Sequence, residues 1–290
     1  MPHQRGKVLA VLNMKGGVGK TTISAHVIRV LYHRRKLKTL LIDLDPQFNL
    51  TQCLMARSTY ERIKADGRTI LAAFEPMSDI GLFDVATTND APPQPSDISH
   101  NLRYFTGRIA FLDLIPGHFD LIKYSIVSDR RKLDHAQERF LRFVSNAKLS
   151  HDLVVIDCNP SSSFITLCAL QACTNLLVPV RPDRYSVLGL ELVADLLDRI
   201  PTIHPKPRIT ILINGVPAQN YNRRIEDELR AHNVFGQNVL THRLRISKLL
   251  QADPDYTGFA TDKPVPYKDL LRTEISLLTD ELSHNLGLAA

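Results

Sequence analysis

Five short, nearly uninterrupted apolar runs constrain the fold of this chain more than any other feature. They are Val8–Leu12, Thr39–Ile42, Leu153–Ile156, Leu176–Val180 and Ile209–Ile213, each four or five residues long. A strand with one face in water alternates apolar with polar residues, whereas a strand without that alternation must be covered on both faces. Amphipathic stretches lie between the runs. Thr22–Tyr32 sets Ile23, Val27, Val30 and Leu31 on one face, and Leu188–Leu197 repeats the pattern with Leu188, Leu192, Val193 and Leu196. Strands alternating with helices predict an α/β fold, a doubly wound and mostly parallel sheet with helices on both faces.

With 290 residues the chain is long enough to bury a large core, and 44% hydrophobic with 23% charged residues excludes a disordered or fibrous chain. From 56 to 101 the pattern loosens, ending in the proline cluster Ala91–Asp97, which reads as a solvent-facing loop. Strand-like sequence resumes at Ile109–Ile115. The expected organisation is a single domain over 1–290 with an extended, loop-rich segment at about 56–101. Four cysteines, Cys53, Cys158, Cys168 and Cys173, form no C-x-x-C pair, so neither a disulfide framework nor a zinc site is expected and a reducing cytoplasm fits. Met1–Arg5 lacks the apolar stretch of a signal peptide, and no run approaches the length of a membrane span.

The strongest local signal is Asn13–Thr22, with Lys15-Gly16-Gly17-Val18-Gly19-Lys20-Thr21-Thr22 between the first strand candidate and the first helix candidate. Glycines let successive backbone N–H groups turn inward as an anion nest, and the following helix adds its positive end. Lys20 is then placed to reach the β- and γ-phosphates of a nucleotide, and the Thr21 hydroxyl to ligate Mg²⁺. The motif departs from G-x-x-x-x-G-K-T because position 14 is methionine and a lysine, Lys15, precedes the glycine pair. Lys15 is expected to lie along the loop and project outward, where a second subunit could use it. Acidic partners follow at strand ends: Asp43 and Asp45 after the second run, Asp157 after the third. Carboxyl ends of strands in open α/β sheets converge on the ligand crevice. Asp157 is thus a candidate for Mg²⁺ and Asp45 for orienting or deprotonating a water.

The net charge of +6 is unevenly spread: residues 201–250 hold eight Lys/Arg against three acids, while 51–100 hold four against seven. A basic surface of this kind suits a polyanion. Arg223, Arg224, Arg243, Arg245 and Lys248 are the candidate residues of such a polyanion-binding surface, acting by phosphate neutralisation alone. No aromatic pattern of the single-strand-binding kind accompanies them.

The sequence resembles the deviant-Walker ATPases, in the ParA/Soj branch of the ParA/MinD family. The resemblance rests on Lys15–Thr22, on Leu41–Gln47 with Asn49-Leu50-Thr51, and on Val154–Ser161; weaker collinear echoes extend it over most of the chain. It implies a P-loop ATPase that binds ATP and Mg²⁺, forms a homodimer sandwiching two nucleotides, binds double-stranded DNA without sequence preference, and is stimulated by a ParB-like partner in plasmid or chromosome partition. It further implies that Lys15 reaches the partner's phosphates, that Gly16, Gly17, Val18 and Gly19 cradle the phosphates with Lys20, and that Thr21 holds the metal and Thr22 the α-phosphate. Asp45 would position water, Asp43 and Asp157 would serve the metal and the switch region, and Asn214 looks like the asparagine that reads adenine. The place of action would be the cytoplasm, on the nucleoid.

The chain departs from the family at several positions. Phe48 stands where glycine is usual after Pro-Gln, Asn159 replaces the first of two prolines after Asp157, and Ala218 takes the place of an arginine. Three alternatives stand beside the DNA-partition reading. A MinD-like membrane ATPase would end in a basic amphipathic helix, but the tail Ile275–Leu288 carries Asp280 and Glu281 and no Lys or Arg, so core packing accounts better for Leu278, Leu282 and Leu286. An iron-sulfur reductase would use a pair of cysteines, which read instead as buried thiols. A cargo-positioning or regulatory protein acting on a protein assembly, binding nucleotide but scarcely hydrolysing it, is the remaining alternative; Asp45 argues for hydrolysis, and a turnover measurement decides.

Overall fold

The computed structural model describes residues 6–105, 110–251, 257–264, 266 and 268–288; the readings made on Met1–Arg5 and on Ile109 lie outside the described residues. Each apolar run is a strand. In chain order β1 is Lys7–Val11, β2 Lys38–Asp43, β3 His100–Tyr104, β4 Phe111–Ile115, β5 Leu153–Asp157, β6 Asn175–Val180, β7 Arg208–Val216 and β8 Leu244–Arg245. They form one eight-stranded sheet in the order β3-β4-β2-β5-β1-β6-β7-β8. Only β3 runs antiparallel, against β4. Alternate residues of each strand face opposite layers. Val8, Ala10, Ile42, Val154 and Ile156 face a core shared with the Arg130–Ser150, Phe164–Ala172 and Arg184–Arg199 helices. Leu9, Val11, Leu41, Leu153 and Val155 face the helix that follows the glycine loop and the C-terminal Lys268–Leu286 helix. Two apolar layers explain why these strands show no polar alternation.

The helix expected over Thr22–Tyr32 runs from Lys20 to Arg35, and its Ile23–Val27 segment is wound as a π-helix. Ile275, Leu278, Leu282 and Leu286 are buried, so the tail leucines are core. Among the described residues, no helix is long and apolar enough to cross a membrane.

Two local readings are corrected. Leu188 and Leu192 are half exposed, and the Arg184–Arg199 helix turns Gly189, Leu190, Val193 and Leu197 to the sheet instead. Glycine decides the face: a Cβ at Gly189 would run into the Asn13 side chain, so only this position permits the close approach. The 56–101 segment is less loop-like than its composition implies. It holds helices at Arg57–Ala65, Leu71–Phe74 and Pro95–Ile98, and Pro92 and Pro95 are buried rather than solvent-facing. Pro95 is the first residue of its helix, where its missing N–H costs nothing.

Candidate functional site

Strand register assembles the site. Asp157 at the end of β5 lies opposite Asp43 of β2 on one side and Val11 of β1 on the other. The glycine loop therefore leaves β1 directly beside two carboxylates. Gly17 and Gly19 take left-handed φ values of 73° and 93°. At Gly19 a side chain would also strike the amide of Asn214, while at Gly16 and Gly17 added Cβ atoms would meet nothing within 4 Å. The loop is an open cradle of backbone amides at the start of a helix.

Lys20 is buried under this cradle, its Nζ donating to the carbonyl oxygens of Asn13 and Lys15, both at 3.2 Å. Burial holds its pKa below the ordinary lysine range, with Asp157, Cys158 and Asp45 pulling the other way. A sequestered ammonium facing an open amide nest fits a phosphate chain. The Thr21 hydroxyl donates to Asp157 Oδ2 at 2.8 Å and the Ser24 hydroxyl to Asp157 Oδ1 at 2.7 Å. Asp43 Oδ2 accepts the Thr51 N–H at 2.8 Å and the Thr51 O–H at 2.7 Å, and Asp43 Oδ1 accepts the Asp45 N–H at 3.3 Å.

Burial, then the neighbouring Asp157, pushes the Asp43 carboxyl up to about 8. Burial raises Asp157 to about 6 against the opposing pull of Ser24, Thr21 and Lys20. Ionising both buried carboxyls at adjacent strand ends is costly, and a divalent cation between phosphate and protein would offset that cost. No group of three or more His, Cys, Asp or Glu side chains forms a metal cage among the described residues. The oxygen donors Thr21, Asp43 and Asp157 fit instead the sparse protein share of an Mg²⁺ completed by substrate phosphates and water. Asp45 lies just outside, half-buried, its carboxylate accepting the Gln47 N–H at 2.9 Å and the Asn49 amide at 3.3 Å.

Lys15 does not project outward in this chain. Its Nζ sits 2.8 Å from Asp183 Oδ1 and 3.3 Å from the Ser186 hydroxyl, over the Tyr185 ring at 5.6 Å. Asp183 caps the Arg184–Arg199 helix by accepting the Ser186 N–H and O–H, so lysine and cap share one carboxylate. Asn214 is buried at the other rim and donates to the Val18 carbonyl oxygen at 2.7 Å, tying the end of β7 to the loop. Val18 is buried, and Thr22 is half-buried on the helix. Sequence reasoning missed Ser24, Thr51 and Asp183. Asp183 had a visible signal, the Asp-x-x-Ser spacing of a helix cap, which says nothing of what the cap faces.

The basic residues fall elsewhere and are mostly paired. Arg223 meets Asp227 at 3.4 Å and Arg224 meets Glu228 at 2.9 Å. Arg243 meets the buried Glu226 and Arg245 meets Glu274, both at 2.9 Å. Lys248 is exposed and, among the described residues, has no ion pair. Arg223, Arg243 and Arg245 line one open cavity of about 700 Å³ with Arg230 and His242. The structure thus gathers three of the five around a groove and leaves Arg224 and Lys248 outside it.

A glycine nest with a buried lysine, at the carboxyl ends of a doubly wound sheet, defines a P-loop nucleotide-binding protein. A family model described as an AAA domain matches residues 6–211, and the chain belongs to that family, in the ParA/Soj-type, deviant-Walker branch of the ParA/MinD superfamily. The sporulation initiation inhibitor protein Soj of Bacillus subtilis is 29% identical over 211 residues, 73% of this chain and 71% of its own. A Rhizobium rhizogenes relative is 27% identical over 270 residues, 83% of this chain, but the alignment spans only 58% of that relative's length. The solved structure of pNOB8 ParA superposes with a TM-score of 0.68 at 19% identity, covering 97% of this chain and 99% of that one; at this identity the match speaks for the fold alone.

Proposed function

We propose that this chain is an ATP-driven DNA-partition switch: it binds MgATP in the glycine cradle, dimerises through it, holds DNA without sequence preference and lets go on hydrolysis. The observation that carries the reading is the open amide nest over the buried Lys20, flanked by Thr21, Asp43 and Asp157 at in-register strand ends. Gly16, Gly17, Val18 and Gly19 would cradle the phosphates with Thr22 at the α-phosphate. Lys20 would neutralise the β- and γ-phosphates, and Thr21 with Asp43 and Asp157 would hold Mg²⁺, which when bound offsets charge on the transferred group. Asp45 orients the attacking water and accepts its proton. Lys15 leaves Asp183 when a second copy brings a triphosphate within reach. Asn214 closes the adenine side of the loop. The sheet draws strands from residue 7 to residue 245, which supports one domain as the working unit.

Family membership and the arginine-lined groove support DNA as the surface; a pNOB8 ParA structure, at 17% identity, is of the protein bound to nonspecific DNA. A ParB-like activator and action on the nucleoid in the cytoplasm complete the proposal. The test is DNA retention with ATP, with ADP and without nucleotide, repeated across salt concentrations, alongside ATP turnover. Retention that needs ATP and weakens by about 0.9 in log–log slope per phosphate contact supports it. Turnover without any DNA retention would favour the second reading, a cargo-positioning ATPase acting on a protein assembly, for which the ion pairing of four candidate arginines speaks.

A further inference from the structure

The loop that carries Asp45 ends in a residue whose backbone is strained. Phe48 sits at φ 43°, ψ 43°, in the left-handed region that side chains other than glycine rarely adopt. Its own N–H donates to the Asp45 carbonyl oxygen at 2.8 Å, and its carbonyl oxygen accepts the Gln52 N–H at 3.0 Å, so this one residue turns the loop into the Asn49–Leu54 helix. A strained conformation persists only where surrounding contacts over-determine it. Here those contacts are identifiable. The Phe48 ring stacks on Tyr60, with centroids 5.0 Å apart and planes at 20°. Tyr60 belongs to the Arg57–Ala65 helix, is buried, and donates its hydroxyl to the Gly117 carbonyl oxygen at 3.2 Å. Gly117 in turn donates its N–H to the Thr51 hydroxyl at 2.9 Å, the same hydroxyl that binds Asp43. A Cβ at Gly117 would come within 2.7 Å of the Phe48 Cβ and 3.1 Å of the Asp43 Cγ, so the aromatic stem is wedged against the acidic site.

We propose that Phe48 is a positioning residue for Asp45: its ring, clasped by Tyr60 over Gly117, fixes the left-handed turn that presents the Asp45 carboxylate. The inference rests on the hydrolytic reading of Asp45 given above. The clasp makes the loop part of a rigid block with the Arg57–Ala65 helix. Asp45 is then held at both ends, by the Gln47 N–H and Asn49 amide on its carboxylate and by the Phe48 N–H on its carbonyl oxygen. One side of the clasp opens on a cavity of about 360 Å³ lined by Phe48, Thr51, Met55 and Tyr60, so the ring has room to leave when its partner is removed.

The experiment compares Phe48→Gly, Phe48→Tyr and Tyr60→Ala with the unaltered chain. Glycine relieves the backbone strain and deletes the clasp, whereas tyrosine keeps both ring and strain. Phe48→Gly and Tyr60→Ala should lower kcat for MgATP about tenfold with KM changed less than twofold, and Phe48→Tyr should restore kcat. In the nucleotide-free protein, amide exchange at Gln47 should accelerate about tenfold in Phe48→Gly and remain slow in Phe48→Tyr. Unchanged kcat and exchange in Phe48→Gly overturn the inference, as does a loss in KM alone, which a merely structural role in nucleotide binding would give. If the unaltered chain does not turn over ATP, the hydrolytic reading fails. The Gln47 exchange comparison then still decides whether Phe48 fixes the loop.

Discussion

His26 lies buried in the π-helical turn behind the phosphate loop, its Nδ1 accepting the Ala260 N–H at 3.2 Å. Burial, and then the nearby Lys263, lowers its pKa to about 4, with Asp262 opposing. The folded chain therefore resists protonating a ring that the unfolded chain protonates near 6.5. Stability from this residue is complete above pH 6.5 and is lost as pH falls through 4, about 3 kcal/mol in all. Urea midpoints between pH 7 and 4 should show that loss, and His26→Gln should flatten it; parallel curves would mean the ring is hydrated. The two loop lysines divide along the same physical line. Lys20 is buried and donates to backbone carbonyl oxygens, so Lys20→Ala should abolish ATP binding measured by calorimetry. Lys15 rests in a half-exposed pair with Asp183, so Lys15→Ala should keep ATP binding within a few-fold and lose the ATP-dependent dimer in light scattering. A dimer that persists would remove Lys15 from the cross-subunit role.

Among elements, the 75–90 segment is fastened by a pair that composition hides. Lys123 Nζ sits 2.6 Å from Glu75 Oε1 with both side chains about 2% exposed, and Glu75 Oε2 accepts the Ala86 N–H at 3.0 Å. Losing one member strands a buried charge, so Glu75→Ala should cost about 3–5 kcal/mol in urea unfolding. Replacing both by methionine should recover only part of that, because the Ala86 N–H is left without its acceptor, at a cost of roughly 1–3 kcal/mol. A Glu75→Ala loss below about 1 kcal/mol would show that water reaches the pair. The strands were legible because an apolar run specifies burial on both faces without naming its neighbours. The P-loop and its carboxylates were legible for a related reason: each stands at or just past the carboxyl end of a strand, and parallel register brings such ends together. The helix face at Leu188 and Leu192 was misread because leucines four apart make as good a stripe as the true one. The true stripe turns on Gly189, which carries no hydrophobic signal. Ser24 and Asp183 were invisible as site residues, and Thr51 stood in a quoted motif without a role, since their partnerships depend on which helix packs beside which strand.

At the scale of the whole molecule, charge sets what the surface can hold. A net charge of +6 would favour any polyanion, yet the arginines of the groove are matched to acids: Arg243 to Glu226, Arg245 to Glu274, Arg223 to Asp227. Paired charges cast little field beyond a Debye length of about 8 Å, so if DNA is the ligand as proposed, steering toward it would fall to the unpaired cations and contact would require carboxylates to yield their partners. Glu274 holds both the Arg245 backbone N–H at 2.7 Å and its guanidinium, and a glutamine keeps the first bond while surrendering the charge. Glu274→Gln should therefore strengthen ATP-dependent DNA retention several-fold and steepen its log–log salt dependence by about 0.9, one more phosphate neutralised. Lys248→Glu, changing an exposed side chain outside the groove, should weaken retention and make the slope shallower by a similar step. Fluorescence anisotropy with a short duplex at graded salt reads both variants. Slopes that match the unaltered chain in both would take this groove and Lys248 out of DNA binding.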